Sequence, residues 1–254
     1  MNCRIVIKTN SHYSHLWPII NDFTKRLGNL SVFIDKVPDF RFNSNIELIV
    51  YDKNLSYTER VVHLIDSMSD DYFMLIHDVD LILNLDREQL DKYLSVVMQN
   101  DIDRLSLGVF DNPSSSISQN DIHLCKLDYN ISKNFFTPFD YAPSIYKRSS
   151  IREFYYKFKG ESYKNLELNS CAQSYFHKNL SSYGIQKNAS INLVYHRGFV
   201  YTGDFNFLHI TVGGYFLEPD TYFDLKDKFL EIKDTYGIHH IMTQPSSWIK
   251  KNEI

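Results

Sequence analysis

Strand and helix patterns alternate through the first hundred residues. Residues 3–8 form an apolar run of strand length. Behind it Leu16, Ile19, Ile20, Phe23 and Leu27 recur at helical spacing over 15–27, and Gly28 supplies the stop. Pro18 falls in the first turn of that helix, where a missing N–H costs little. Residues 30–34 and 46–51 are the next strand candidates. Ser56 and Glu59 stand at capping-box spacing, with Tyr57, Val61, Leu64, Ile65 and Met68 at helical period behind them. Residues 72–77 are an uninterrupted apolar run of the kind buried on both faces of a sheet, and they end in His77-Asp78-Val79-Asp80. Asp86 and Gln89 open a further capped helix whose inner face is Leu90, Tyr93, Leu94 and Val97.

The second half is less regular. Residues 104–110 and 122–127 read as strands separated by a loop over 111–120, rich in Ser, Asn and Pro. Helices are expected over 150–159, opened by Ser150 and Glu153, and over about 165–180. A strand at 191–196, a glycine-punctuated stretch to Gly214 and a last helix near 220–236, ended by Gly237, complete the chain. The alternation predicts an α/β fold with a mostly parallel central sheet flanked by helices. No linker divides residues 1–254, so one domain is expected. In open sheets of this class, ligands bind beyond the carboxyl ends of the strands, which selects residues 8–11 and 78–80 as neighbours in one site.

Composition narrows the function classes. With 43% apolar and 23% charged residues, the 254-residue chain can bury a full core. Its 18 Tyr and 18 Phe serve that core or line a site where aromatic faces stack on sugar rings and bases. A net charge of −4 leaves no basic surplus for nucleic acid. Cys3, Cys125 and Cys171 fit neither a disulfide framework nor a metal motif, as in a reducing compartment. No apolar stretch reaches the length of an integral membrane segment, and residues 1–8 do not read as a signal peptide, so the expected location is cytoplasmic.

Two carboxylates one residue apart at a strand mouth have a direct chemical use. A nucleoside diphosphate carries several negative charges, and a hard divalent cation bridges it to protein oxygens. The cation also neutralises charge that builds on the leaving diphosphate. On an extended backbone, residues 78 and 80 face one side, so Asp78 and Asp80 can address one ligand; solvated turn aspartates are the plain alternative. Haloacid-dehalogenase phosphatases also place Asp-x-Asp after a buried strand, as nucleophile and acid/base. Their motif continues with small or hydroxyl residues, whereas Leu81-Ile82-Leu83 follows here.

The segment Ile5-Val6-Ile7-Lys8-Thr9-Asn10-Ser11-His12-Tyr13-Ser14-His15-Leu16-Trp17-Pro18 resembles the opening of small bacterial and viral GT-A glycosyltransferases, in which a first strand runs through a polar turn into a Leu-Trp-Pro helix. Residues 72–80 are similar to their central strand with its acidic end. Tyr141-Ala142-Pro143-Ser144-Ile145-Tyr146-Lys147-Arg148 is similar to their acceptor-side strand. The likeness runs in order over roughly residues 3–180. It implies a GT-A fold, with a nucleotide-sugar-binding half over about 1–110 and an acceptor-binding half over about 111–254. It further implies a nucleoside-diphosphate sugar donor, a glycan or other hydroxyl acceptor, a Mn²⁺ or Mg²⁺ ion and inverting transfer.

Residue by residue, the resemblance gives Thr9, Asn10 and Ser11 to the nucleoside, Asp78 to the ribose or a metal-bound water, and Asp80 to the metal. Arg60 matches a basic position that reaches the nucleotide or orients an acidic residue; a solvated helix arginine is the plain alternative. Glu167, opening a helix after the acceptor-side strand, takes the place of the general base, with Asp140 in reserve. His209 or His196 would supply a C-terminal metal ligand and Arg197 a cation for the diphosphate; Gly213-Gly214 would hinge a lid or make a turn. His239 and His240 are adjacent and diverge, as surface residues do. Where relatives often carry adjacent acidic residues, this chain has Asp78-Val79. Two other readings remain. A nucleotide-sugar pyrophosphorylase would need a glycine-rich basic loop after the first strand, which Thr9-Asn10-Ser11-His12 does not provide. A non-catalytic carbohydrate- or nucleotide-binding protein would keep the fold without metal-dependent donor binding.

Overall fold

The structure, a computed structural model, describes residues 3–28, 30–78, 80–85, 87–110, 116–127, 143–162, 165–166, 169–186, 205–209, 211–212, 215–217 and 243–244. β1 (Arg4–Lys8) leads through a 3-10 segment, Ser11–Leu16, into α1 (Trp17–Leu27). β2 (Leu30–Ile34) and β3 (Ile46–Val50) precede α2 (Tyr57–Ser67), and β4 (Tyr72–His77) and β5 (Asp80–Leu85) precede α3 (Arg87–Gln99). Then come β6 (Arg104–Phe110), β7 (Ser116–Gln119), β8 (Ile122–Lys126), β9 (Ser144–Lys147), α4 (Arg148–Lys157), α5 (Ser170–Asn179), β10 (Ser182–Gln186) and β11 (Phe205–His209).

Nine strands form one sheet in the order β3-β2-β1-β4-β9-β6-β10-β8-β7. β3, β2, β1 and β4 are mutually parallel. β9 enters antiparallel between β4 and β6, β10 runs parallel to β6, and β8 and β7 close the far edge as an antiparallel hairpin. Among these strands only β9 and β8 run against β1, so the expected α/β architecture with a mostly parallel sheet is what the chain forms. β5 pairs instead with β11 in a separate antiparallel ribbon. A small sheet joins Thr211–Val212, Tyr215–Leu217 and Thr243–Gln244.

Each face of the sheet carries its own core. Ile5, Ile7, Met74 and Ile76 pack on one side with Trp17 and Ile20 of α1 and Leu90, Leu94 and Val97 of α3. Val6, Phe33, Phe73 and Leu75 pack on the other with Val61, Leu64 and Ile65 of α2, Ile151 and Phe154 of α4, and Phe176 of α5. Alternate residues of β1 and β4 thus enter opposite cores, which is why Ile5–Ile7 and Phe73–Ile76 read as unbroken apolar stretches. Each such side chain contributes about 1.5–3 kcal/mol by leaving water. Ser56 and Glu59 make the capping box at the start of α2, and Gly28 takes φ +57° beyond α1, a conformation that favours glycine.

Three local expectations need correction. The loop at 111–120 contains β7, a polar edge strand whose Ser116, Ser118 and Ile117, Gln119 alternate between exposed and half-buried. Asn120 and Asp121 turn it into β8 with φ 52° and 63°, as a two-residue hairpin turn requires. A strand half in water has no apolar period to read. Ser150 does not cap α4, which starts at Arg148; its hydroxyl donates to the Asp103 carboxylate. The helix expected over about 165–180 is divided: Asn165 and Leu166 are helical, and α5 begins at Ser170, after Asn169 accepts from the N–H groups of Cys171 and Ala172. The expected strand at 191–196 and helix at 220–236 lie outside the described residues.

Asp103 is the junction of β6, α4 and β10. It accepts from the Ser181 N–H at 2.8 Å, from the Ser181 hydroxyl at 3.0 Å and from Ser150. Hydrogen bonds to a charged acceptor contribute about 1.5–3 kcal/mol each, and losses at one acceptor overlap. Asp103→Ala is therefore expected to lower unfolding free energy by about 2–3 kcal/mol in urea titration.

Candidate active site

β1, β2, β3 and β4 are parallel, so their carboxyl ends share one edge of the sheet. Along that edge stand Tyr51 after β3, Asp35 after β2, residues 8–11 at the end of β1 and Asp78 after β4. Backbone bonds continue the ladders just beyond the strands. Thr9 N–H donates to Phe33 O at 2.9 Å, Tyr51 N–H to Ile34 O at 2.8 Å, and Asp78 N–H to Lys8 O at 3.0 Å.

Thr9 and Asp78 meet directly. The Thr9 hydroxyl donates to Asp78 Oδ2 at 2.6 Å, with Thr9 1% and Asp78 6% exposed. Trp17 Nε1 donates to Thr9 Oγ1 at 3.3 Å, and the Tyr51 hydroxyl donates to Thr9 O at 3.0 Å. Ser11 is held next door: its N–H and hydroxyl both donate to the Asp35 carboxylate, at 2.7 and 2.8 Å. Thr9, Asn10, Ser11 and Asp78 are therefore one cluster, as the topology of the sheet requires.

Burial dominates the electrostatics. It pushes the Asp78 carboxyl up to about 6; the Thr9 hydrogen bond, the Lys8 charge and the Asn10 backbone N–H pull it down, while Asp80 raises it further. Lys8 moves the other way, to about 8, because burial disfavours its ammonium; Asp78 and Asp35 support the charge and Arg60 opposes it. The Lys8 ammonium lies 5.8 Å from the Tyr51 ring centre and 5.1 Å from that of Tyr57. Burial also pushes Tyr51 up to about 12, with Asp35 adding to the rise. Arg60 stacks 5.2 Å from the Tyr51 ring and donates to Leu55 O and Lys53 O at 2.8 and 3.2 Å. The capped end of α2 thus brings Arg60 to the edge of the cluster.

Asp80 is 8% exposed and opens β5. Asp78 lies in a turn rather than an extended strand, so the same-side argument from strand geometry does not apply. The chain leaves the main sheet between the two aspartates, and they are neighbours through that turn. In the β5–β11 ribbon, His209 is the register partner of Asp80. The backbone therefore brings the expected C-terminal histidine opposite the second aspartate; its side chain is outside the described set. Among the described residues, no group of three or more His, Cys, Asp or Glu side chains is arranged to hold a metal ion. Glu167, Asp140, Arg197 and His196 lie outside the described residues, as do Gly213, Gly214, His239 and His240.

Sequence reasoning missed Asp35, Tyr51 and Trp17. Asp35 was within reach of it, because it follows the buried β2 run as Asp78 follows β4. Tyr51 and Trp17 act through bonds to Thr9 that cross the fold and leave no local pattern.

No protein-family model matches the sequence, and no curated protein matches it. Solved structures similar to the chain include S. aureus TarS residues 1–349 in complex with UDP-GlcNAc, at 12% identity over 75% of this chain and 60% of that one, TM-score 0.47. A CMP:2-keto-3-deoxy-manno-octonic acid synthetase complexed with CTP is similar at 11% identity over 74% and 91%, TM-score 0.45. A putative glucose-1-phosphate thymidylyltransferase from Bacillus anthracis is similar at 10% identity over 74% and 87%, TM-score 0.44. No helix among the described residues is long and apolar enough to cross a membrane.

The raised Asp78 carboxyl has a stability consequence. The folded state holds this proton up to about pH 6, whereas an unfolded aspartate releases it near 3.8. Stability is thus fully present below the lower value and falls as pH rises through that window. Asparagine mimics the protonated form and still accepts from Thr9. In metal-free urea titrations, the stability of Asp78→Asn relative to wild type is expected to rise by about 2–3 kcal/mol between pH 4 and 7.

Proposed function

We propose that the chain is a glycosyltransferase. It binds a nucleoside-diphosphate sugar at the carboxyl edge of β1 to β4 and transfers the sugar to the hydroxyl of a glycan or other acceptor. The observation that carries this reading is the 2.6 Å hydrogen bond from Thr9 to Asp78, which joins the turn after the first strand to the buried acidic pair. A nucleotide laid across that edge meets Tyr51, Asp35 and residues 9–11 at one end and the two aspartates at the other. Asp35 accepts from nucleoside N–H or O–H groups, and Asn10 and Ser11 line the same end. Asp78 faces the ribose and Arg60 the nucleotide.

The donor set fits a Mn²⁺ or Mg²⁺ ion. Asp78 and Asp80 offer carboxylate oxygens, the hard donors such ions take, and His209 is brought opposite Asp80 by the ribbon register. Asp78, Asp80 and His209 would hold the ion, which supplies Lewis-acid stabilisation of the departing diphosphate. Arg197 adds positive charge against the same leaving group. Glu167, or in its place Asp140, takes the proton from the acceptor hydroxyl as that oxygen attacks the anomeric carbon, which inverts the centre. A buried, preorganised edge suits this chemistry, because charge developing at the diphosphate is stabilised without solvent rearrangement.

Calorimetry with a panel of nucleoside-diphosphate sugars, in Mn²⁺ and in EDTA, tests the proposal. Wild-type protein is expected to bind one class of donor only with metal present. Asp80→Asn should weaken that binding roughly tenfold or more while leaving the thermal melt of the metal-free protein within a few degrees of wild type. Equal donor affinity in EDTA and Mn²⁺ would remove the metal role. No donor binding at all would remove the transferase reading.

A further inference from the structure

Two cations reach the nucleotide edge, and they differ in what they have left to give. Arg60 is tied to its own loop through Leu55 O and Lys53 O and lies against Tyr51. The Lys8 ammonium also lies against Tyr51, and against Tyr57, but contacts only ring faces and distant charges. No hydrogen-bond acceptor serves its three N–H groups among the described residues. A π face offsets part of the cost of desolvating an ammonium and leaves its donors unused. Its partly exposed position keeps the donors open to a ligand.

The position of Lys8 says which part of a nucleotide it meets. It ends β1, two residues beyond Val6, so its side chain lies on the face where α2 packs. Its ring partners are Tyr51, after β3, and Tyr57, the first residue of α2. Asp35 and Arg60 are the other charges it senses on that side, and Asp78 bounds it towards β4. Asp80 and His209, the diphosphate end of the reading above, lie in the separate ribbon. With the diphosphate there, the base points towards Tyr51 and Asp35, and Lys8 stands on the base side of Asp78. An ammonium only donates, so at the exocyclic position of a base it pairs with a carbonyl oxygen and is opposed by an amino group, which is itself a donor.

We propose that Lys8 is a specificity-determining residue that donates a hydrogen bond to a carbonyl oxygen of the donor's nucleobase. The chain would then take nucleotides of oxo-bases, such as uracil, thymine or hypoxanthine, in preference to adenine, which has no carbonyl. This rests on the nucleotide-sugar reading of the site but names a contact which that reading does not require. At that contact adenine sets its own amino donor against the ammonium, and a contact made to donate to the ligand loses its hydrogen bond there.

The test is calorimetric titration of the full chain in Mn²⁺ with UDP, IDP and ADP, in wild type, Lys8→Met and Lys8→Gln. IDP and ADP have the same ring size and differ in carbonyl against amino. Wild type is expected to bind UDP or IDP about tenfold or more tightly than ADP, in line with a hydrogen bond to a charged group. Both variants should lose about that factor for the oxo-nucleotide and little for ADP, so that the ratio collapses. Thermal melts run alongside show the variants folded, and Lys8→Gln keeps a polar side chain should the methionine disturb packing. Equal losses for IDP and ADP would overturn the base contact and place Lys8 on the ribose or phosphates. An unchanged ratio in both variants would overturn any reading by Lys8. Failure of wild type to bind any of the three would overturn the nucleotide reading together with this one.

Discussion

The structure depends on holding an ionisable carboxyl, Asp78, out of water at the mouth of its central strand. Burying a carboxylate costs several kcal/mol unless hydrogen bonds and charges replace its hydration. Here the Thr9 hydroxyl, at 2.6 Å, is the largest such contribution, followed by the Lys8 charge and the Asn10 N–H. Thr9 is itself clamped, by Trp17 from the start of α1 and by Tyr51 from the end of β3. Trp17 packs on Phe40 and Phe42, which belong to the chain between β2 and β3. One buried threonine, through its hydroxyl and both of its backbone groups, therefore ties four strand ends and a helix start to one carboxylate. A change in any of those packings reaches the site through a single residue.

The same clustering makes the site a cost to the fold. Lys8 is pushed down and Asp78 up, both chiefly by burial. Each steadies the other's charge without cancelling its desolvation. Groups kept charged in poor solvent are a usual mark of a functional site, because selection for stability alone would replace them with apolar residues. The cores on either face supply the surplus that tolerates this. Phe154 alone touches Tyr155, Phe158, Tyr175 and Phe176 around the α4–α5 side. Among the described residues the aromatics largely serve the core, and Tyr51 and Tyr57, buried in it, are the rings nearest Lys8.

Much of the parallel half was legible from period alone. Strands β1, β2 and β4 are doubly buried and α2 is capped and amphipathic, so local sequence and final environment agree. The rule that ligands gather at the carboxyl ends then put Thr9 and Asp78 in one site before any contact was known. What local patterns could not show is pairing at a distance. β7 is polar because it lies at an edge. Ser150 looks like a cap and instead serves Asp103, some fifty residues away in sequence. Asp35 carries the same signal as Asp78, but its use depends on Ser11 coming to meet it. Glu167 and Asp140 rest on the resemblance alone.

The spacing of the two aspartates acquires a different meaning once the turn between them is seen. On one strand, Asp-x-Asp would fix both carboxylates by the pleat. In this chain Asp78 is held by the main sheet, through Thr9 and the Lys8 carbonyl, while Asp80 begins a ribbon whose other strand is β11. Local sequence alone therefore does not set the distance between the carboxylates. β11 pairs with the strand that Asp80 opens and brings His209 to the residue opposite it. A segment more than a hundred residues later thus positions the second acidic residue. That arrangement makes the C-terminal part of the chain a structural component of the site, and a shift of two residues in the ribbon register would separate His209 from Asp80 without altering any residue near Asp78.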